Sequence, residues 1–397
     1  MVPCHSPSLL AIPGPSVIPE RVLRAMHRAS PNIYHGELIE MVDTLWPDLK
    51  AVARTKHSLA LYIANGHGAW EAALANTVGP GDAILVLVTG RFGQGWADMA
   101  RRMGVEVETI DFGKRSDADP QRLEERLRQD GAGTIKAVLT VQTDTASSVI
   151  NDVVALRKAI DAAGHDALFM VDCIASLACD RFEMDDWGVD VMVSACQKGL
   201  MTPAGMAFVW FNDRAATARE RVSPSQYWDW RDRSQAQIFY QKFAGTAPTH
   251  HLYGLREALD MLIKEEGMEV CWARHGRIAK AVWAAVDAWG EDCMHHNITD
   301  PTKRSAAVSA ITTAPGVAGK LRAWCEAEAG LTLGIGLGMA EPDAPDYANY
   351  FRIGHMGHQH PPMTLGVLAT IDLALKAQGI GHGNGAVEAA ATVLAEF

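Results

Sequence analysis

A lysine and an aspartate each lie just beyond an apolar run of the kind that forms a buried strand. Asp172 follows the run 168–171, and Lys198 lies shortly after the run 189–193. A lysine amine forms a Schiff base with an aldehyde and then moves protons as general acid and base. A carboxylate keeps a proton on a pyridine nitrogen, which makes the ring an electron sink. The pair predicts a pyridoxal phosphate enzyme with Lys198 and Asp172 as catalytic residues.

Each of these residues has a plainer explanation when it is considered alone. A strand-end aspartate commonly caps a turn, and a single lysine is commonly a solvated surface residue. The position of both at strand ends of one sheet favours catalysis over these alternatives.

The pattern of apolar runs shows how the two residues would be brought together. Runs separated by helical patterns occupy residues 59–63, 83–88, 105–110, 135–141, 167–171, 189–193 and 205–211. Continuous apolar strands that alternate with helices predict an α/β fold with a mostly parallel sheet covered on both faces. In such sheets ligands bind beyond the carboxyl ends of the strands, so the residues after each run are the candidate site.

The glycine-containing turn 65–68 is a candidate phosphate site. Its sequence Asn65-Gly66-His67-Gly68 follows a strand-like run and opens a helical pattern. Glycines let backbone N–H groups and a helix N-terminus face a phosphate. Gly66, His67 and Gly68 are therefore predicted to bind the cofactor.

Two apolar side chains are placed to hold a flat ring. Ile174 lies two residues beyond Asp172, on the same side of an extended chain, and Phe92 follows the run 83–88. We expect Ile174 to pack on one face of the ring and Phe92 to stack on the other. Each of the two, taken singly, also fits an ordinary core position.

Arg352 is the candidate for binding a substrate carboxylate, because its guanidinium offers a bidentate fork. It lies near the end of a short strand-like run in the C-terminal part of the chain, and a surface ion pair is its plainer explanation. The nearby His355, His358 and His360 lack a cysteine or carboxylate pair beside them. They are interpreted as loop histidines, and no metal site is predicted.

The chain divides into three predicted parts. Residues 1–20 form an N-terminal arm, residues 21–275 a large cofactor-binding domain, and residues 276–397 a smaller C-terminal α+β domain. The region 252–285 reads as helix with an interruption at Gly267, and helix also follows Pro361-Pro362.

Composition restricts the partners and the compartment. A net charge of -11 and a pI near 5.7 argue against nucleic-acid or anionic-membrane partners. The seven cysteines are odd in number and scattered, which fits neither a disulfide framework nor a metal motif. No secretory signal or membrane span is evident. A cytoplasmic location is predicted, in which the triplet Asn297-Ile298-Thr299 stays unglycosylated.

The assembled motifs resemble the class V aminotransferases of fold type I, in particular the alanine/serine–glyoxylate group. The resemblance spans nearly the whole chain. The motifs that carry it are Ile12-Pro13-Gly14-Pro15, the turn 66–73, Val171-Asp172 with Ala175-Ser176, Gln197-Lys198-Gly199, the segment 255–259 and Arg352-Ile353-Gly354.

The resemblance implies a role for each matching residue. Lys198 would bear the Schiff base and Asp172 would hold the pyridine nitrogen, with Arg352 on the substrate carboxylate. The remaining implied contacts are Gln197 and Thr145 on the phosphate or ring-oxygen side, with Gly14 and Tyr34 near the substrate. A homodimer with the active site at the subunit interface is also implied, in which Thr246 reaches a phosphate in the partner subunit.

Three departures from the group's pattern stand out. Phe243 replaces a phosphate-binding tyrosine, Asp144 replaces a glutamate before Thr145, and Tyr34 replaces a polar stretch that contains arginine. A lost phenol donor removes roughly 1.5 to 3 kcal/mol of hydrogen bonding to phosphate, so phosphate affinity is expected to fall. These departures, with segments 90–95 and 352–357, resemble pyridoxamine–pyruvate aminotransferase, which takes the unphosphorylated vitamin as substrate. The glycine turn at 65–68 favours a phosphate-bearing cofactor instead.

The predicted reaction is a two-step transfer of an amino group from a small L-amino acid to glyoxylate or pyruvate. Segments 32–37 and 196–201 resemble bacterial aspartate–glyoxylate aminotransferases and favour aspartate, with alanine and serine as further donors. A cysteine desulfurase would need a cysteine on a mobile loop, whereas Cys325 lies in a helical pattern. A non-catalytic vitamin B6-binding protein is the third alternative, and the presence of Lys198, Asp172 and Arg352 argues against it.

Overall fold

The structure is a computed structural model that describes residues 9–290 and 292–396. The first eight residues of the predicted N-terminal arm, Cys4 among them, lie outside this range. The strands are β1 Leu9–Ala11, β2 Ser58–Tyr62, β3 Ala83–Val88, β4 Glu106–Asp111, β5 Ile135–Val141, β6 Leu168–Asp172, β7 Val191–Ala195, β8 Ala207–Phe211, β9 Met294–His296, β10 Val308–Thr313, β11 Leu331–Ile335 and β12 Tyr350–Gly354.

Helices surround these strands. They are α1 Glu20–Met26, α2 Glu37–Asp43, α3 Leu45–Ala53, α4 Gly66–Ala75, α5 Arg91–Arg102, α6 Pro120–Gln129, α7 Val153–Ala162, α8 Asp213–Ala218, α9 Trp230–Ser234, α10 Thr249–Leu259, α11 Met268–Trp289, α12 Val317–Ala329, α13 Pro361–Ala377 and α14 Ala386–Ala395. No helix in the described ranges is long and apolar enough to cross a bilayer.

The larger sheet has seven strands in the order β2-β8-β7-β6-β5-β3-β4. All neighbours pair in parallel except β8, which is antiparallel to both β2 and β7. The predicted α/β fold with a mostly parallel sheet is therefore confirmed. The carboxyl ends of β2, β3, β5, β6 and β7 meet at one edge, which is where the predicted site residues lie.

Alternating side chains of the large sheet enter two separate apolar layers. Leu85, Leu87 and Phe169 pack on one face, and Val86 and Met170 pack on the other. Both faces are covered because the strands are apolar throughout, as the sequence predicts. The runs 83–88 and 135–141 coincide with β3 and β5, and the remaining bounds differ by one or two residues.

A smaller sheet of five strands, in the order β1-β11-β12-β10-β9, forms the C-terminal part. Its edge strand β1 comes from the predicted N-terminal arm and pairs in parallel with β11. The long helix α11 spans the predicted boundary at residue 275 and begins after Gly267, which has a φ of 82°. The domain limits stay a prediction.

Candidate active site

A cavity of about 240 Å³ opens at the carboxyl edge of the large sheet. Most of the residues predicted from the sequence to contact the cofactor line it. Its walls are formed by Asn65, Gly66, His67, Trp70, Phe92, Val141, Thr143, Thr145, Asp172, Ile174, Ala175, Gln197 and Lys198. The fold therefore brings the lysine, the aspartate, the glycine turn and the two side chains predicted to pack on the ring to one place.

Lys198 is covered by the N-terminal segment. Its amine donates a hydrogen bond to the carbonyl of Pro13, and a Cβ on Gly14 would lie only 2.3 Å from that amine. Gly14 has a φ of +92°, so this position needs glycine for both its backbone angle and its side-chain space. Burial and the positive charge of Arg352 lower the pKa of Lys198 to about 8.

Asp172 is almost fully buried and holds two hydrogen bonds. The indole nitrogen of Trp70 donates to its Oδ2 at 2.8 Å, and the backbone N–H of Ile174 donates to its Oδ1 at 2.6 Å. Burial nevertheless raises its pKa to about 7, against the effect of both bonds. At neutral pH such a carboxyl is only partly ionised, and a protonated pyridine nitrogen beside it would favour the ionised form.

Trp70 is a site residue to which sequence reasoning gave no role. It lies one turn after His67 in α4, and the two rings pack with their centroids 4.6 Å apart. Burial and then the charge of Arg91 lower the pKa of His67, which favours the neutral form of this ring. The signal in the sequence was a tryptophan beside the glycine turn, but apolar residues there also fit plain core packing.

The glycine turn begins α4, and its first amides are already hydrogen-bonded. Asn65 caps the helix, its side-chain oxygen accepting from the N–H of His67 at 3.1 Å and of Gly68 at 3.4 Å. A phosphate at this turn would gain from the helix dipole and would compete with Asn65 for these two donors. Gly66 packs against Ile174, where a Cβ would lie 2.4 Å from the isoleucine Cδ1.

Arg352 is fixed between the two sheets. Its Nε donates to the carbonyl of Ile335 at 2.7 Å, and its Nη1 donates to the carbonyl of Thr145 at 2.8 Å. The side chain is 6% exposed, and burial lowers its pKa to about 10. It stays charged at neutral pH, and it retains N–H donors for a carboxylate.

Six of the predicted contacts are not among the residues that form the cavity walls. Two of them, Gly14 and Arg352, are described above, and the other four are Phe243, Tyr34, Thr246 and Gly68. Phe243 is buried in the core, edge-on to Phe239 with ring centroids 5.3 Å apart. Tyr34 is 85% exposed, and Thr246 is also at the surface. Gly68 packs on Ala64 and Trp228 instead of lining the cavity. The proposed contacts of Tyr34 and of Thr246 with substrate or partner stay predictions.

The residues that line the cavity suit pyridoxal phosphate. Gln197 contributes a buried side-chain oxygen for which the described residues supply no hydrogen-bond partner. Phe92 and Ile174 give apolar walls, and Asp172 and Lys198 supply the carboxylate and the amine. In the described ranges no group of three or more histidine, cysteine or acidic side chains is placed to hold a metal ion.

This arrangement of sheet, cavity and lysine–aspartate pair defines a pyridoxal phosphate-dependent aminotransferase of fold type I. Residues 13–342 match the family Aminotransferase class-V, and the chain belongs to that family. Its cofactor is pyridoxal phosphate.

Two relatives and one solved structure show how far the similarity extends. A serine–glyoxylate aminotransferase from Methylorubrum extorquens is 37% identical over 393 residues, covering 96% of this chain and 94% of the relative. An L-aspartate–glyoxylate aminotransferase from Paracoccus denitrificans is 34% identical over 385 residues, covering 96% and 94%. A crystal structure of the ureidoglycine–glyoxylate aminotransferase of Bacillus subtilis superposes with a TM-score of 0.88 at 26% identity, covering 99% of both chains.

Proposed function

We propose that this protein transfers an amino group from a small L-amino acid to glyoxylate in two half-reactions. The observation that carries the proposal is the meeting of Lys198 and Asp172 in one cavity, with Arg352 anchored to the carbonyl of the cavity residue Thr145. Glyoxylate is the acceptor named for relatives that align along nearly the whole chain, which supports it over pyruvate.

The lysine and the aspartate have separate tasks. Pyridoxal phosphate, when bound, draws the electrons of a substrate Cα–H bond into its ring. Asp172 is the residue that would hold a proton on the ring nitrogen, and Trp70 keeps the carboxylate oriented by donating to its Oδ2. Lys198 would take the proton from the substrate carbon and return it to the cofactor carbon. A pKa of about 8 suits this role, because the amine changes protonation near neutral pH.

Arg352 would bind the carboxylate that every amino-acid and oxo-acid substrate carries. The carbonyls of Ile335 and Thr145 hold the guanidinium in place, so little side-chain entropy is lost on binding. The backbone of Gly14 lies beside the lysine amine, since a Cβ there would be 2.3 Å from it, which supports the proposal that substrate binds against this backbone.

The amino donor is a separate proposal. Segments 32–37 and 196–201 favour aspartate, whereas serine is the donor named for the relative of 37% identity. We infer that aspartate is the preferred donor, with serine and alanine as slower ones. The glycine turn that lines the cavity supports a phosphate-bearing cofactor over free pyridoxamine as substrate.

A homodimer with its active site at the subunit interface is also part of the proposal. Several large apolar or aromatic side chains are exposed to solvent, and exposed apolar groups are the kind of surface that subunit interfaces cover. They are Tyr34, Ile63, Tyr227, Ile238 and Tyr240. Sedimentation equilibrium of the purified protein tests this part, and a monomer at micromolar concentration would contradict it.

A cytoplasmic location is proposed on two observations. The side chain of Asn297 is buried and donates to the carbonyls of Lys114 at 2.6 Å and Ser147 at 2.9 Å. This asparagine is therefore unavailable for glycosylation in the folded protein. The six cysteines in the described ranges are buried free thiols, which fits a reducing compartment.

The test of the reaction is a matrix of donors and acceptors. The protein loaded with pyridoxal phosphate is mixed with aspartate, serine or alanine alone, and bleaching of the visible band is followed. Glyoxylate or pyruvate is then added and the return of the band is measured. Bleaching fastest with aspartate and recovery fastest with glyoxylate are expected. A band that no amino acid changes, combined with conversion of pyridoxamine and pyruvate to pyridoxal, would refute the proposal.

A further inference from the structure

Asp144 is a buried carboxylate beside the cavity to which the proposed reaction gives no task. Its Oδ2 accepts hydrogen bonds from the backbone N–H groups of Phe92 at 2.8 Å and of Gly93 at 3.3 Å. Its Oδ1 accepts from the N–H of Ala146 at 3.0 Å. A carboxylate without solvent exposure needs such donors to offset its lost hydration.

Asp144 completes the start of α5. The residue before this helix is Gly90, which has no side chain with which to cap it. Asp144 comes from the end of a different strand and accepts from the first-turn amides instead, as an N-cap residue would. A Cβ on Gly90 would lie 2.4 Å from Asp144 Cγ, so the carboxyl packs directly against the Gly90 backbone. Phe92, in that first turn, is fixed by this contact.

Asp144 also fixes the anchor of Arg352. Two hydrogen bonds of Asp144 close the turn that contains Thr145. Its side chain accepts from the Ala146 N–H, and its backbone carbonyl accepts from the Ser148 N–H at 2.8 Å. The Thr145 carbonyl accepts from Arg352 Nη1 at 2.8 Å. Movement of Asp144 would therefore move the carbonyl that holds the arginine.

Burial raises the pKa of Asp144 itself, against its bonds from backbone N–H groups, and its ionised form acts on both functional groups. Burial raises the pKa of Asp172, and the negative charge of Asp144 raises it further. Burial lowers the pKa of Arg352, and Asp144 opposes that fall. A neutral residue at 144 would shift both values downward.

We propose that Asp144 is a positioning residue that fixes the ring-packing Phe92 and the carbonyl anchor of Arg352 relative to each other. The position of the Asp144 side chain thereby affects both the stacking of Phe92 on the cofactor and the binding of the substrate carboxylate by Arg352. The proposal rests on the proposed role of Arg352.

The test compares two variants with the wild-type holoenzyme. Asp144→Asn removes the charge, and its single side-chain oxygen cannot serve both the α5 amides and the Ala146 amide. Gly90→Ala keeps the charge but pushes the carboxyl away, and the extended φ of 169° at this position accepts alanine. The readouts are the visible circular dichroism of the bound cofactor, KM and kcat for the amino donor, and the pH dependence of the visible absorption.

Both variants are expected to weaken the dichroism of the cofactor band and to raise the KM for the donor about tenfold. Only Asp144→Asn removes the charge, so only this variant is expected to lower the pH of the absorption transition. If Asp144→Asn does not fold, Gly90→Ala decides the positional claim.

Asp190→Asn is the matched control. Asp190 is also a buried carboxylate that accepts a backbone N–H, that of Phe169 at 2.7 Å, but it lies at the opposite edge of the same sheet. This variant is expected to lower the melting temperature and to leave dichroism and KM unchanged. Wild-type dichroism and KM in both test variants, or equal changes in the control, would overturn the proposal. A wild-type protein without a visible band would instead refute the site itself.

Discussion

Replacement of Trp70 by phenylalanine removes the only side-chain donor to Asp172 found in the described residues and leaves a smaller aromatic ring in its place. The lost bond is 2.8 Å long and fully buried, and a hydrogen bond to a charged group contributes about 1.5–3 kcal/mol. At about 1.4 kcal/mol for each unit, the pKa of Asp172 should rise by roughly one to two units from its value of about 7. The ionised carboxylate, which is the form proposed to hold the ring nitrogen, then becomes scarce at neutral pH.

The assay is the pH dependence of pyridoxal phosphate affinity, measured by titration of the cofactor-free protein. The midpoint of the loss of affinity at low pH should move up by roughly one to two units in Trp70→Phe. Trp96→Phe is the control, because Trp96 stacks on Trp70 at 6.0 Å, is equally buried, and has an indole nitrogen without a partner in the described structure. An unmoved midpoint in Trp70→Phe, or an equal shift in Trp96→Phe, would refute this reasoning.

Three further predictions concern Lys198, Gly14 and Phe243. The pKa of Lys198 is about 8 instead of 10.5, so its neutral form should be about 300-fold more abundant at pH 7 than that of an ordinary lysine. Trace acetylation of the cofactor-free protein should show half-ionisation of this amine near pH 8, and a value near 10 would contradict this. Gly14→Ala should abolish cofactor uptake, because the new methyl group would clash with the Lys198 side chain. Gly81→Ala is the control, with a similar φ of +83° and open space around the position, and it should lower only the melting temperature. Phe243→Tyr should lower the free energy of unfolding in urea by about 1–3 kcal/mol without tighter cofactor binding, and a gain in affinity would show that its hydroxyl reaches the phosphate.

The large sheet and the positions of Lys198 and Asp172 could be predicted, because the apolar runs and the turns that bound them agree there. The runs 83–88 and 135–141 are apolar throughout and bounded by turns, so their strands form with those limits. Lys198 and Asp172 each follow such a run, and parallel strands place their carboxyl ends together. For the same reason the glycine turn, Phe92 and Ile174 arrive at the same cavity.

Contacts that join distant segments through one atom could not be predicted in this way. The bond between Trp70 and Asp172 depends on how α4 packs, and periodicity only marks Trp70 as a core residue. Asp144 caps a helix that begins 53 residues earlier at Arg91, and no sequence rule pairs them. The burial of Phe243 depends on its packing against Phe239 and Trp46, which a position matched to a phosphate-binding tyrosine does not show.

The central claim is that Lys198 carries the cofactor. The direct measurement is reduction of the holoenzyme with borohydride, digestion, and mass spectrometry of the peptides. We predict a phosphopyridoxyl group on the peptide that contains Lys198, and its loss in Lys198→Ala. The group on a different lysine, or no label in a protein that transaminates, would contradict the account.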